Sequence, residues 1–355
     1  MENKAPLTKT RIVSFDVLRI VAILNVIIVH AASQVFVGSF YSGGWIAANF
    51  FASFFRLGVP SFLMISGSLH LNPEREIEWG KFYKKVFLHI IVPLLFWSLA
   101  YYLLIPLIQH EAVTFNFMEF LARFLDSNVY WHLYFMYIII GLYILTPFLR
   151  VFIKGASQKL IRTFLLIWVV NVAIVPLFTR ITGLRISANL LSITGFVGYY
   201  IAGYYLTRTQ PKWHPAFYFL VYLAASSATF LATHYSSAAA GSPVELYYDK
   251  FSPNIMLAAV AFFQFIRSIN FSNLYEKNKG FKVVVTTLGK TTYGVFFIHL
   301  LVQSALLFGA FGFQLYSGTG NGFIYIPLTS VAVYVISTVI VLVLGRIPLV
   351  KNLVS

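Results

Sequence analysis

Residues 13–33 read VSFDVLRIVAILNVIIVHAAS. A membrane-spanning helix needs ~20 mostly apolar residues, and this stretch supplies them. It also carries Asp16, Arg19, Asn25 and His30. Ionisable groups inside a span are costly, so they turn toward protein or a water-filled path rather than lipid. Arg19 and His30 are eleven positions apart. At ~100° per residue that is about three turns plus 20°, so both project from one face, ~16 Å apart along the axis. Asn25 falls off that face and is assigned to packing.

The remainder of the chain has the same character. It is 355 residues long, 59% hydrophobic and 10% charged, with a mean hydropathy of +0.79. Soluble domains carry about 25% charged residues. The chain is therefore read as an all-α polytopic membrane bundle and a single domain, 1–355. It has no cysteine, which excludes disulfides, thiolate metal sites and cysteine nucleophiles. The apolar run after Lys4, Lys9 and Arg11 is too long for a signal peptide and contains charges, so it is read as an uncleaved first span.

Ten spans are expected, at 13–33, 45–70, 86–107, 130–149, 163–179, 189–206, 215–234, 254–270, 283–309 and 323–344. Placing the N-terminus in the cytoplasm puts 19 Lys and Arg in inner segments and four in outer ones, namely Arg123, Arg180, Arg185 and Lys250. Arg19, Arg56 and Lys290 remain inside spans. The asymmetry predicts both termini in the cytoplasm and an inner-membrane, multi-pass protein. It also accounts for the net charge of +15 without nucleic acid. Trp45, Trp79, Trp97, Trp131 and Trp213 read as interfacial belts, and the 36 Phe as bilayer and core filling. The glycine-rich SGTGNG at 317–322 reads as a flexible loop.

Chemistry concentrates in few places. His30 is either a buried histidine bonded to a neighbouring helix or a general base, for which imidazole is suited. Arg19 either pairs with Asp16 at i and i+3 or holds an anion with its fork. Arg56, in FFRLGVPSFLMISG (54–67), lies mid-span without an acid in that span, beside Gly58 and Pro60, which loosen the helix. It must meet a carboxylate from elsewhere, backbone carbonyls or a ligand. His132 sits at the outer end of the fourth span, as belt or substrate contact. His299 lies in LGKTTYGVFFIHL (288–300), near Tyr293. The charge-derived topology sends His30, His132 and His299 toward the same side. No P-loop, His-Glu-x-x-His or Gly-x-Ser-x-Gly motif occurs, and the spans lack the paired acids of a cation site.

FDVLRIVAILNVIIVH (15–30), GVPSFLMISGSLH (58–70), WHLYFMYIIIGLYILTPFLR (131–150) and TTYGVFFIH (291–299) together resemble the acyltransferase 3 family. The resemblance is to stand-alone members without an appended extracytoplasmic domain. It implies transfer of an acyl group, usually acetyl from acetyl-CoA, to a sugar hydroxyl of a surface polysaccharide or lipid-linked glycan. It carries the family's motif arginine and histidine onto Arg19 and His30, and a later histidine onto His299. Arg19 and Arg56 are then expected to bind the acyl-CoA donor, with an extended pantetheine arm bridging Arg19 and His30. His30 and His299 are expected to be catalytic, His30 either deprotonating the sugar hydroxyl or receiving the acyl group, and His132 and Tyr293 to contact the acceptor, with membrane lipid around the bundle and no metal. The rival expectation is a transporter of a polar glycan or solute using His30 and Arg56 as a proton-linked relay.

Overall fold

The computed structural model describes residues 12–36, 40–183, 195–318, 320–348 and 350–354, and every regular element among them is a helix. Lys4, Lys9, Arg11, Arg185, Thr319 and the start of the span expected at 189–206 lie outside the described residues. In chain order the elements begin with α1 (Val13–Phe36), α2 (Gly43–Phe55) and α3 (Gly58–His70). Next come α4 (Trp79–Ile108), α5 (Phe117–Leu125), α6 (Trp131–Gly155) and α7 (Gln158–Arg180). Then follow α8 (Gly195–Thr207), α9 (Pro215–Ala240), α10 (Pro253–Ser268), α11 (Ser272–Lys277), α12 (Lys279–Leu307) and α13 (Gly322–Leu344).

All ten expected spans fall on these helices, the second on α2 and α3 together. Eight are long and apolar enough to cross a membrane. The other two, α8 and α10, have 13 and 16 described residues. The chain is thus an all-helical, multi-pass membrane protein. Two short helices, α5 and α11, were not expected. α5 is started by Asn116, whose side chain accepts from the Glu119 amide at 3.1 Å.

α1 is the axis of the bundle. It packs against α2, α3, α10, α12 and α13. Leu18, Ile23, Ile27, Ala31 and Ala32 are fully buried on it, and Asp16 and Asn25 are buried with them. α8 is buried on all sides from Val197 to Tyr204. A helix apolar all round belongs inside. By contrast α4 and α7 turn Leu95, Phe96, Leu107, Leu166 and Ile167 outward, as lipid-facing helices do. The 29 residues of α12 reach about 43 Å by helix rise, more than a bilayer core. Lys290 is exposed on it while His299 is fully buried.

Helix breaks follow proline. Pro60 has no N–H for the Arg56 carbonyl, and the span divides there into α2 and α3. Pro93 and Pro176 each follow a π-helical turn, Phe87–Ile91 and Val170–Ile174. Four of the basic segments expected on one side, those of Arg75, Arg150, Arg208 and Arg267, meet at one end of the bundle. Arg208 pairs with Glu74 at 3.1 Å. Arg150 donates to the carbonyls of His70 and Arg75. Arg267 donates to those of Leu206 and Thr209.

Not every tryptophan is interfacial. Trp213 is exposed, but Trp45 and Trp97 are interior. Trp45 stacks on Phe36 at 5.5 Å, and the Trp97 indole donates to the Leu353 carbonyl at 2.9 Å. Trp45 lies near a span end and Trp97 in mid-span; place along a span says nothing about which way a ring turns, and here both turn inward.

α3 and α8 are pressed together at glycines. A Cβ on Gly67 would lie 1.8 Å from the Tyr200 carbonyl oxygen, and one on Gly203 would lie 1.9 Å from that of Met64. Small residues permit such close approach in membranes. The contact is sealed by Ser68, whose hydroxyl donates to the Gly203 carbonyl at 2.9 Å. Gly67→Ala and Gly203→Ala are each expected to destabilise the bundle by at least ~1–3 kcal/mol, because backbone rather than side chain must move. Gly141→Ala, where a Cβ meets nothing within 4 Å, is the neutral control. The fraction of monodisperse protein after heating in detergent measures all three.

Candidate active site

Two cavities lie along α1. The larger, about 530 Å³, is bounded by α1, the α2–α3 break, the start of α6, α12 and the α9–α10 loop. Val26, Val29 and His30 face it from α1, and Arg56 faces it from the break. The loop adds Glu245, Tyr248, Asp249 and Lys250, and Arg180 completes the wall. The smaller, about 320 Å³, contains Arg19, Ser66, His70, Tyr143 and Tyr293. Phe62, Phe135 and Phe296 line both. Their rings abut, Phe62 to Phe135 at 6.0 Å and Phe135 to Phe296 at 5.6 Å. The three form an aromatic partition between an arginine chamber and a histidine chamber.

His30 is half-buried and borders the larger chamber. Its ring lies nearly parallel to that of His299, 16° apart with centroids at 5.5 Å, and meets the Trp131 edge at 4.3 Å. His132 stands edge-on to His299 at 5.2 Å. The three histidines expected on one side therefore do form one cluster. Only His30 and His132 border the chamber; His299 is fully buried behind them.

The protonation pattern of His299 can be read from its partners. Its Nδ1 approaches the carbonyls of Val295 at 3.1 Å and Phe296 at 2.7 Å. Carbonyls only accept, so Nδ1 carries the proton and Nε2 offers a lone pair. Nε2 is buried without a partner, as are both ring nitrogens of His132. Among the described residues no group of three or more histidines and acids has metal-holding geometry.

The cations of the large chamber sit on aromatic faces. The Arg56 guanidinium lies 4.2 Å from the Tyr248 ring centroid. The Tyr248 hydroxyl donates to Asn49 Oδ1 at 2.5 Å, which fixes that ring. The Lys250 ammonium lies 4.7 Å from the Tyr134 centroid. Burial pushes Lys250 below its ordinary pKa; Asp249 opposes the shift and Arg56 adds to it.

In the small chamber Arg19 Nη1 pairs with Asp16 Oδ1 at 2.8 Å, as the i and i+3 spacing suggests. The guanidinium remains partly open, with a side-chain exposure of 30%. Ser66, Tyr143 and His70 form a chain, 2.9 Å from Ser66 Oγ to the Tyr143 hydroxyl and 3.2 Å from there to His70 Nε2. Tyr293 donates its hydroxyl to the His89 carbonyl, which Pro93 cannot serve. Arg19 and Tyr293 thus share one chamber, while Arg56, His30 and His132 share the other.

Several site groups escape a reading of the sequence. His70 and Tyr143 lie within quoted motifs, yet only their meeting across α3 and α6 gives them meaning. Gln303 donates to the His30 carbonyl at 3.2 Å and ties α1 to α12 beside the cluster. The three partition phenylalanines are indistinguishable by sequence from the other Phe.

A family model for an acyltransferase domain matches residues 12–346. The chain belongs to the acyltransferase 3 family, and is a membrane acyltransferase in the general sense. No curated protein and no solved structure matches it.

The geometry makes His30 the accessible imidazole of the cluster. Diethyl pyrocarbonate is expected to modify His30 well before His132 or His299. Mass spectrometry of the three peptides over time reads the order directly.

Proposed function

We propose that the chain is an O-acyltransferase of the cell's inner membrane. It moves an acyl group, most simply acetyl, from acyl-CoA to a sugar hydroxyl of a surface polysaccharide or lipid-linked glycan. One observation carries the reading: two chambers on one helix face meet at an aromatic partition, one holding Arg19 and the other His30.

In this reading Arg19 holds CoA phosphates, for which a guanidinium fork is suited. Asp16 sets the direction of the fork. The two functional groups are ~16 Å apart along α1, a distance for an extended pantetheine arm. The thioester passes between Phe62, Phe135 and Phe296 into the large chamber. There a neutral His30 accepts the proton of the sugar hydroxyl. The oxygen attacks the thioester carbonyl, the C–S bond breaks, and the leaving thiolate takes the proton back from the imidazolium. His299 acts as a positioning residue: its Nδ1 is committed to backbone, and its ring supports that of His30 from behind. His132 walls the acceptor side.

The loop charges support a direction. With the N-terminus placed in the cytoplasm, 19 basic residues fall in inner segments and four in outer ones, and the Arg19 chamber then opens toward the cytoplasm, where CoA is made. The acyl group crosses while the CoA does not.

Three measurements test this. His30→Ala and His30→Gln are expected to lower transfer by at least ~10²-fold while CoA still binds, because an amide cannot take the proton. An acyl adduct trapped on His30 would replace the base role with a carrier role. Arg19→Lys is expected to raise the donor KM more than it lowers kcat, since lysine keeps charge and loses the fork. In oriented vesicles with labelled acetyl-CoA on the cytoplasmic side, label is expected on acceptor glycan held at the opposite face. Labelling only of glycan on the donor side would make this an inner-face enzyme.

A further inference from the structure

We propose that Arg56 is an anion seat of the large chamber, so that the acceptor carries a carboxylate or phosphate close to the hydroxyl it presents to His30. The inference rests on the reading of that chamber as the acceptor side.

Arg56 is a charge held within a span, and such charges meet a partner. None of the ion pairs among the described residues includes it. Its Nε is buried and has no hydrogen-bond partner. The Tyr248 face supports the guanidinium from one side at 4.2 Å and uses none of its N–H donors. The carboxylates of the chamber wall are Glu245 and Asp249, and neither forms an ion pair with Arg56. Asp249 Oδ1 is engaged in its own turn, accepting from the Phe251 amide at 2.8 Å. The fork is therefore held in place but unspent.

Position decides what would fill it. Arg56 shares its chamber with His30 and lies on the far side of the partition from Arg19. A donor anchored at Arg19 spends its phosphates there and sends only a neutral arm past the phenylalanines. The anion that reaches Arg56 belongs to the other substrate. Arg180 and Lys250 line the same wall, so three cations face two carboxylates and the chamber favours a negative guest. Its volume of about 530 Å³ is in the range of small-molecule sites. The break before Pro60 is what puts the guanidinium there, since Arg56 is the residue between α2 and α3 that closes α2.

Two sources offer this chemistry: the carboxylate of an acidic sugar, or the phosphate joining a glycan to its lipid carrier. Saccharide binding to the full-length purified chain separates them without requiring acyl transfer. The probes are a uronic-acid oligosaccharide, its carboxyl-reduced neutral twin, and a neutral oligosaccharide on polyprenyl pyrophosphate. Wild type is expected to bind at least one anionic probe about tenfold or more tightly than the neutral twin, the scale of charge-assisted hydrogen bonds. Whichever anionic probe wins names the source. Arg56→Gln is expected to erase the preference, and Arg56→Lys to keep part of it. CoA affinity, measured in the same samples, is expected to hold in both variants and certifies folding. Equal binding of all three probes by wild type overturns the proposal, as does a preference that survives Arg56→Gln. Loss of CoA affinity with the preference intact moves Arg56 to the donor. Absence of acyl transfer by a wild type that still prefers the anion would count against the reaction and not against the seat.

Discussion

An arginine and a histidine on one face of an apolar helix cannot be left toward lipid. That cost places α1 at the centre, because only there can the Arg19–His30 face border protein and cavity along its whole length. Five helices pack around it. Gln303 ties the His30 end of α1 to α12, and the Asp16–Arg19 pair settles the other end. Lipid-facing duty then falls to α4 and α7, whose outer surfaces carry exposed apolar side chains such as Leu95, Phe96, Leu166 and Ile167 along their middles, with the exposed lysines and arginines toward their ends.

The chambers are built where helices give up regularity. Backbone groups freed inside a membrane must find partners or border a cavity. Pro93 releases the His89 carbonyl and Tyr293 takes it. Pro60 releases the Arg56 carbonyl and divides the span beside the larger chamber. On the other wall, glycines do the opposite: Gly67 and Gly203 let α3 and α8 touch at backbone distance. Open space on one side of α3 is thus matched by dense contact on the other, which holds α3 while its N-terminal end borders a void.

The spans were legible because long apolar runs and loop charges are one-dimensional signals. His30, His132 and His299 could be expected together because topology sends them to one side, and they do cluster. Arg56 could be singled out because no acid shares its span. What the sequence withheld is azimuth and pairing. Trp45 sits near a span end and Trp97 in mid-span, yet both turn inward, since periodicity in an all-apolar helix does not mark the inner face. Arg19 and Arg56 were both expected at the donor; only the fold shows that phenylalanines stand between them. Those phenylalanines carry no signal of their own among 36.

In the proposed reaction the two chambers exchange an arm but not water, and a partition of aromatic rings suits that. Three phenylalanines have no polar atom to hold a water chain, and their edges and faces meet at 5.6–6.0 Å centroid distance. Rotamers of exposed side chains exchange in picoseconds to nanoseconds, and Phe62 is the ring of the partition that is only partly buried. That ring is the one placed to yield to a passing neutral arm and close after it without a movement of helices. A charged group would lose its hydration in crossing the same ring of hydrocarbon and gain nothing there. In the proposed reaction this confines phosphates to the Arg19 side and solutes of the outer chamber to theirs. Phe296 links the barrier to the chemistry: it belongs to the partition through its ring and accepts the His299 Nδ1 proton through its carbonyl. Movement of α12 at this residue would alter barrier and histidine cluster together.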